Sequence, residues 1–156
     1  MNRPSEAEKS LKPDTGEVQN RKPDPREAEK AAREALFYLV FESLFSPDSP
    51  ESIVDNAYAA DNFDITEELE ERFLKLCENL PEIDRIITEH SQKRVFSRLP
   101  KVSAAILRVA FFEILYAGLH PNIAAAEAVR FATDFAAETD VKFVNGVLGD
   151  YLRNAD

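Results

Sequence analysis

The stretch Val102-Ser-Ala-Ala-Ile-Leu-Arg-Val-Ala-Phe-Phe-Glu-Ile-Leu-Tyr-Ala117 decides the fold. From Ala104 to Ala117 only Arg108 and Glu113 carry charge, so a helix here is apolar nearly all round and belongs at the centre of the molecule. Gly118 marks its end. The segments on either side share its period. Ala28, Ala31, Ala32, Ala35, Leu36, Leu39, Val40 and Leu44 follow helical spacing from Arg26, and Ser46–Pro47 stops that helix near Phe45. Ser49–Pro50 pairs an N-cap with a proline at the first helical position and opens a helix to about Ala60. Asp64-Ile-Thr-Glu67 is a capping-box-like start for a helix burying Leu69, Phe73, Leu76, Cys77 and Leu80. Pro81 either kinks that helix or begins another through Ile83, Ile86 and Ile87.

After Gly118, residues 122–136 are alanine-rich, with Val129, Ala132 and Phe135 at helical spacing. Thr139 or Asp140 can cap a last helix carrying Phe143, Val144, Val147, Leu148, Tyr151 and Leu152. Asn145-Gly146 is hairpin turn chemistry, but its flanks have helical periodicity, so a helix is expected, with Gly146 admitting a neighbouring backbone. No stretch alternates as a strand does. The expectation is an all-α fold of about seven helices in a single domain over residues 26–156. Residues 1–25 hold four of the nine prolines and little apolar content, and are expected to be a disordered tail.

Composition excludes several classes. A single cysteine, Cys77, leaves no intramolecular disulfide and no multi-cysteine zinc site. The four glycines form no phosphate loop, and His90 and His120 stand alone, so the sequence offers no catalytic constellation and no cofactor or metal. No apolar run is long enough to span a membrane, and the tail lacks a secretory apolar region, so a cytoplasmic protein is expected. Taken as a total, the net charge of −10 argues against nucleic acid, but it is unevenly placed. Residues 29–92 hold sixteen acidic and five basic side chains, whereas residues 93–156 hold seven and eight. Lys93, Arg94, Arg98, Lys101 and Arg108 follow one another with no acid until Glu113. The acidic total therefore does not exclude RNA.

Two readings stand for each basic group. Arg26, Lys30 and Arg33 stack along one helix face, either as phosphate contacts or as a solvated face with a Glu29–Arg33 ion pair. Arg98 and Lys101, at the entrance to the central helix, either contact phosphate or balance the acidic half. Arg108, within the apolar helix, calls for a carboxylate partner, and Glu127 on another helix is the expected one. Lys142, Phe143 and Asn145 combine a cation, a stacking ring and an edge-reading amide at a helix start, which is chemistry suited to single-stranded RNA. The alternative is that Phe143 is simply core. Gly146, one turn on, leaves a shallow surface beside its ring.

Taken together, Arg98-Leu99, Val102, Ala105-Ile-Leu-Arg-Val-Ala110, Glu113-Ile-Leu-Tyr116, Glu127-Ala128 and Lys142-Phe-Val-Asn-Gly-Val-Leu148 resemble the NusB family of bacterial transcription antitermination factors. Ala32-Arg33-Glu34-Ala35 resembles its opening helix, and the likeness covers roughly residues 28–153. The resemblance implies two small helical bundles packed together, without catalysis or cofactor. It also implies pairing with NusE, a small-subunit ribosomal protein, on boxA-type single-stranded RNA of ribosomal RNA operons. There the pair helps RNA polymerase in the elongation complex read through terminators. By position, the residues implied in RNA binding are Lys30, Arg33, Arg98, Lys101, Lys142, Phe143 and Asn145. The chain departs from the family pattern in a thinner basic cluster, with Glu29, Lys30 and Ala31 before Arg33, and in Ala125-Ala126 before Glu127. An alternative is a protein-interaction or homodimeric module on the same scaffold that has lost specific RNA binding.

Overall fold

A computed structural model describes residues 24–60, 65–92 and 94–154. The tail expected over residues 1–25 lies outside them except for Asp24 and Pro25, as does Lys93. Seven α-helices appear among the described residues: α1 (Pro25–Ser43), α2 (Pro50–Ala60), α3 (Glu67–Glu78), α4 (Leu80–Glu89), α5 (Lys101–Tyr116), α6 (Pro121–Phe135) and α7 (Glu138–Asn154). A 3₁₀ turn over Phe96–Arg98 precedes α5, and no strand occurs among the described residues. The all-α expectation is borne out.

Local chemistry explains the boundaries. Asp24 accepts from the Arg26 N–H at 2.9 Å, and Pro25 takes the first helical position of α1. Ser49 caps α2 by accepting from the Ser52 N–H at 3.2 Å. Thr66 caps α3, accepting from the Leu69 N–H at 3.0 Å, while Asp64 of the expected capping-box-like start lies outside the described residues. Pro81 starts α4 instead of kinking α3, because Asn79 closes one helix and opens the next. After α5 the chain reverses through Gly118 at φ +74°, a left-handed conformation that a side chain disfavours. The last helix begins at Glu138, earlier than a Thr139 or Asp140 cap implies, and Asp140 reaches back to accept from the Ala137 N–H at 3.3 Å.

Residues 32–156 form one compact unit, organised around α5. Every residue from Ser103 to Glu113 is buried, the pattern expected of a helix surrounded on all sides. On one side α5 meets α3 and α4, and on the other it meets α6 and α7, which pack closely on each other. The two groups of helices share α5 and one continuous apolar core, in which Phe73, Phe111, Phe112, Leu76 and Leu107 are fully buried. Residues of α1 join it through Leu36, Leu39 and Val40, with Phe37 tilted on Phe131 at 4.6 Å between ring centroids. What this core does for function is fix the beginnings of α5 and α7 and the link from α4 to α5.

Candidate nucleic-acid interface

The first turns of α5 and α7 are joined by one half-buried hydrogen bond. Ser103 Oγ donates to Asp140 Oδ1 at 2.6 Å, while the other oxygen of Asp140 holds the Ala137 N–H. Two helix N-termini, each with unpaired N–H groups and a positive dipole end, are therefore brought side by side. Lys101 lies two residues before Ser103, and Lys142 two residues after Asp140; both are exposed. Lys142 has only a loose contact with Glu138 at 3.7 Å, and both side chains stand in solvent, so little holds its charge back from a phosphate. Arg98 is exposed on the 3₁₀ turn, which buried Leu99 anchors on one side. Asn145 is exposed on α7.

Phe143 is half-buried, packed on the core yet bordering a groove. The guanidinium of Arg94 lies over its ring at 5.2 Å from the centroid. This groove, of about 540 Å³, runs between α7 and the chain leaving α4, with His90, Gln92, Arg94, Phe143, Gly146 and Asp150 among its lining residues. Gln92 adopts φ 57° at its edge, a conformation rare outside glycine and asparagine. His90 Nδ1 and Asp150 Oδ2 are 2.7 Å apart, and the His90 ring meets Tyr151 edge-on at 5.4 Å, which in turn meets Phe111 of α5 at 5.0 Å. The groove wall is thus tied to the core. Residues 90 and 150 give no sign of each other in the sequence, and the basic run holding Arg94 was the one signal pointing to this face.

Several expectations are corrected. Arg33 is not on a solvated stripe. Its guanidinium donates to both oxygens of Glu113, Nε to Oε1 at 2.8 Å and the second terminal nitrogen to Oε2 at 2.9 Å, and lies 3.5 Å from Glu127. Its side chain is 13% exposed and that of Glu113 is 7%. A carboxylate buried in α5 demands a cation, and Arg33, one turn before Phe37 on the packed face of α1, supplies it. The Glu29–Arg33 pair gives way to this one, and the Arg33 guanidinium is turned to Glu113 and Glu127 instead of standing on an open face. Lys30 is exposed on the first turns of α1. Arg108 pairs with Asp84 of α4, at 2.9 and 2.8 Å, and not with Glu127; its guanidinium also covers Phe96 at 4.3 Å. Gly146 admits no neighbouring backbone, because a Cβ built there meets nothing within 4 Å. Its bare surface opens into the groove instead.

Elsewhere, burial pushes the Cys77 thiol up to about 11, so it stays protonated at neutral pH. Among the described residues no cluster of His, Cys, Asp and Glu side chains has the makeup of a metal site, and no helix is long and apolar enough to cross a membrane.

Comparison with known proteins gives a consistent result. The sequence profile of the NusB family matches residues 26–153. The transcription antitermination protein NusB of Enterococcus faecalis is 35% identical over 141 residues, covering 83% of this chain and 90% of the relative. That of Thermoanaerobacter sp. strain X514 is 32% identical over 124 residues, covering 79% and 89%. Among solved structures, T. maritima NusB superposes with a TM-score of 0.69 at 26% identity, covering 85% of this chain and 94% of that one. A chain from a complex of antitermination factors NusB and NusE with double-stranded RNA superposes at 0.68 and 24% identity, covering 80% and 96%.

Proposed function

Because the chain belongs to the NusB family, whose profile spans residues 26–153, we infer that it is an antitermination factor acting by binding and not by catalysis. In this reading it associates with NusE and holds a boxA-type single-stranded RNA from ribosomal RNA operons while RNA polymerase reads on. The observation that carries the RNA half is the Ser103–Asp140 bond, which sets the α5 and α7 starts together with Lys101, Lys142 and Phe143 around them. Cations and helix N-termini suit phosphates, and a half-exposed phenylalanine suits an unpaired base. A solved complex of NusB and NusE with RNA in the same fold supports the partnership. Placement in the cytoplasm follows from a role on the elongating polymerase.

Charge suggests how the partners divide the surface. The acidic excess of residues 29–92 complements a basic ribosomal protein, whereas Lys101, Lys142, Arg94 and Arg98 belong to the near-neutral second half. A handful of phosphate contacts gives modest affinity that falls with salt. The lone chain is therefore expected to bind weakly, and the pair with NusE tightly. The test is titration of a boxA-like RNA and a scrambled control at two salt concentrations, with and without NusE. Preference for the boxA-like RNA, strongest with NusE, supports the reading; no preference in either condition overturns it. The second reading, a protein-interaction or self-associating module without specific RNA binding, is favoured by the withdrawal of Arg33 into its ion pair with Glu113. It predicts that charge reversal at Lys101 and Lys142 leaves every RNA-dependent readout unchanged.

A further inference from the structure

The rim of the α7 groove is basic, with Arg94, Lys142 and Arg153, as a phosphate-facing surface should be. Asp150 sits among them as an exception. Glu89, the other acid on the lining, is held by Arg85 at 2.6 Å, but Asp150 is 40% exposed, fixed by His90 and Asn154, with an Arg153 nitrogen farther off at 4.0 Å. His90 Nδ1 lies 2.7 Å from Oδ2, and Asn154 Nδ2 donates to Oδ1 at 3.0 Å. Each carboxylate oxygen has about two acceptor sites, so one hydrogen bond to each leaves capacity for a further donor. A carboxylate repels phosphate but accepts hydrogen bonds from the amino and imino groups of bases.

Phe143, Gly146 and Asp150 are spaced i, i+3 and i+7, which puts them in line on one face of α7 over about 10 Å. A glycine in mid-helix weakens the helix, and here packing does not require one, since a Cβ would meet nothing within 4 Å. What the missing side chain leaves is a low floor between an aromatic ring and a fixed carboxylate.

We propose that this groove is a single-base pocket for guanine, which stacks on Phe143 above Gly146 and presents its Watson–Crick edge to Asp150. The proposal rests on the RNA-binding reading above. Guanine alone among the four bases offers two adjacent donors, N1–H and the exocyclic amine, to match the two oxygens. Adenine and cytosine place a ring acceptor beside their single amino group, and uracil flanks its one imino group with carbonyls. Asp150 is then the specificity-determining residue, and His90 positions it. Arg94 is exposed and long enough to move from the Phe143 ring onto the adjoining phosphate.

The test uses the full chain with NusE and fluorescently labelled uridine-tract RNAs carrying one central guanosine, inosine or adenosine. Inosine lacks only the exocyclic amine. The guanosine RNA is expected to bind roughly tenfold more tightly than the other two, the discrimination typical of a paired hydrogen-bond contact. Asp150→Asn is expected to bring guanosine down to the level of inosine and adenosine while leaving those two unchanged. Gly146→Leu fills the floor and should weaken guanosine RNA by about tenfold or more without lowering the thermal midpoint, because leucine is the better helix former. Equal binding of the three RNAs by the wild type, or an undiminished preference in Asp150→Asn, overturns the pocket and leaves the RNA face standing. No binding of any of them overturns both.

Discussion

Replacing Arg33 by methionine isolates the ion pair that holds α1 to α5. The substitution keeps the unbranched apolar stem and removes the guanidinium, leaving the Glu113 carboxylate buried without its two hydrogen bonds at 2.8 and 2.9 Å. Breaking one side of a buried pair costs about 3–5 kcal/mol. Glu127 is 27% exposed beside it, so some water reaches the site and the lower end, about 3 kcal/mol, is the expected loss. For a chain of this length that corresponds to a fall of about 6–12 °C in thermal midpoint. Urea unfolding followed by far-ultraviolet circular dichroism reads it directly.

A second variant separates this cause from general damage. The double variant Arg33→Met with Glu113→Leu removes both charges and should recover most of the loss, since an apolar pair of similar volume often matches a buried ion pair. A loss under about 1 kcal/mol, or a double variant no better than the single one, would show that the Arg33–Glu113 pair does not hold α1 to α5.

Other outcomes follow from single contacts. Ser103→Ala should cost about 1 kcal/mol by urea unfolding, because it removes the 2.6 Å bond from buried Ser103 to half-buried Asp140 that joins α5 and α7. Gly118→Ala should destabilise by about 1 kcal/mol through its φ of +74° alone, since a Cβ there meets nothing within 4 Å. Cys77 has a folded pKa raised to about 11, against 9.0 for the free group, so the unfolded state loses this proton first. The wild type should therefore lose stability relative to Cys77→Ala between pH 9 and 11, and its thiol should alkylate far more slowly folded than unfolded.

The fold was legible because its signals are local. The apolar run of residues 104–117 required a surrounded helix, and Ser49–Pro50 and Gly118 placed ends by short-range backbone chemistry. The start of α7 moved by a residue or two, because Asp140 reaches back to the Ala137 N–H from inside the helix instead of capping it from ahead. The candidate site was legible only in part. Lys101, Lys142, Phe143 and Asn145 could be picked out by residue type at helix starts. Pairings across the fold could not, because periodicity says which face a side chain occupies but not which helix meets it. Hence Arg33 went to Glu113 and Arg108 to Asp84, eighty and twenty-four residues away in sequence. For the same reason the His90–Asp150 contact had no precursor in the sequence, and Gly146 was read as a packing glycine although it lies open.

The proposed RNA interface puts the phosphate contacts at the joined starts of α5 and α7. Its most direct test is the salt dependence of RNA binding, measured with NusE present, for the wild type and for Lys101→Gln with Lys142→Gln. Each lost phosphate contact on a single strand flattens the slope of log K against log salt by about 0.7, so the double variant should lose about 1.4 at an unchanged thermal midpoint. A slope identical to that of the wild type would contradict the claim and place the RNA elsewhere on the molecule.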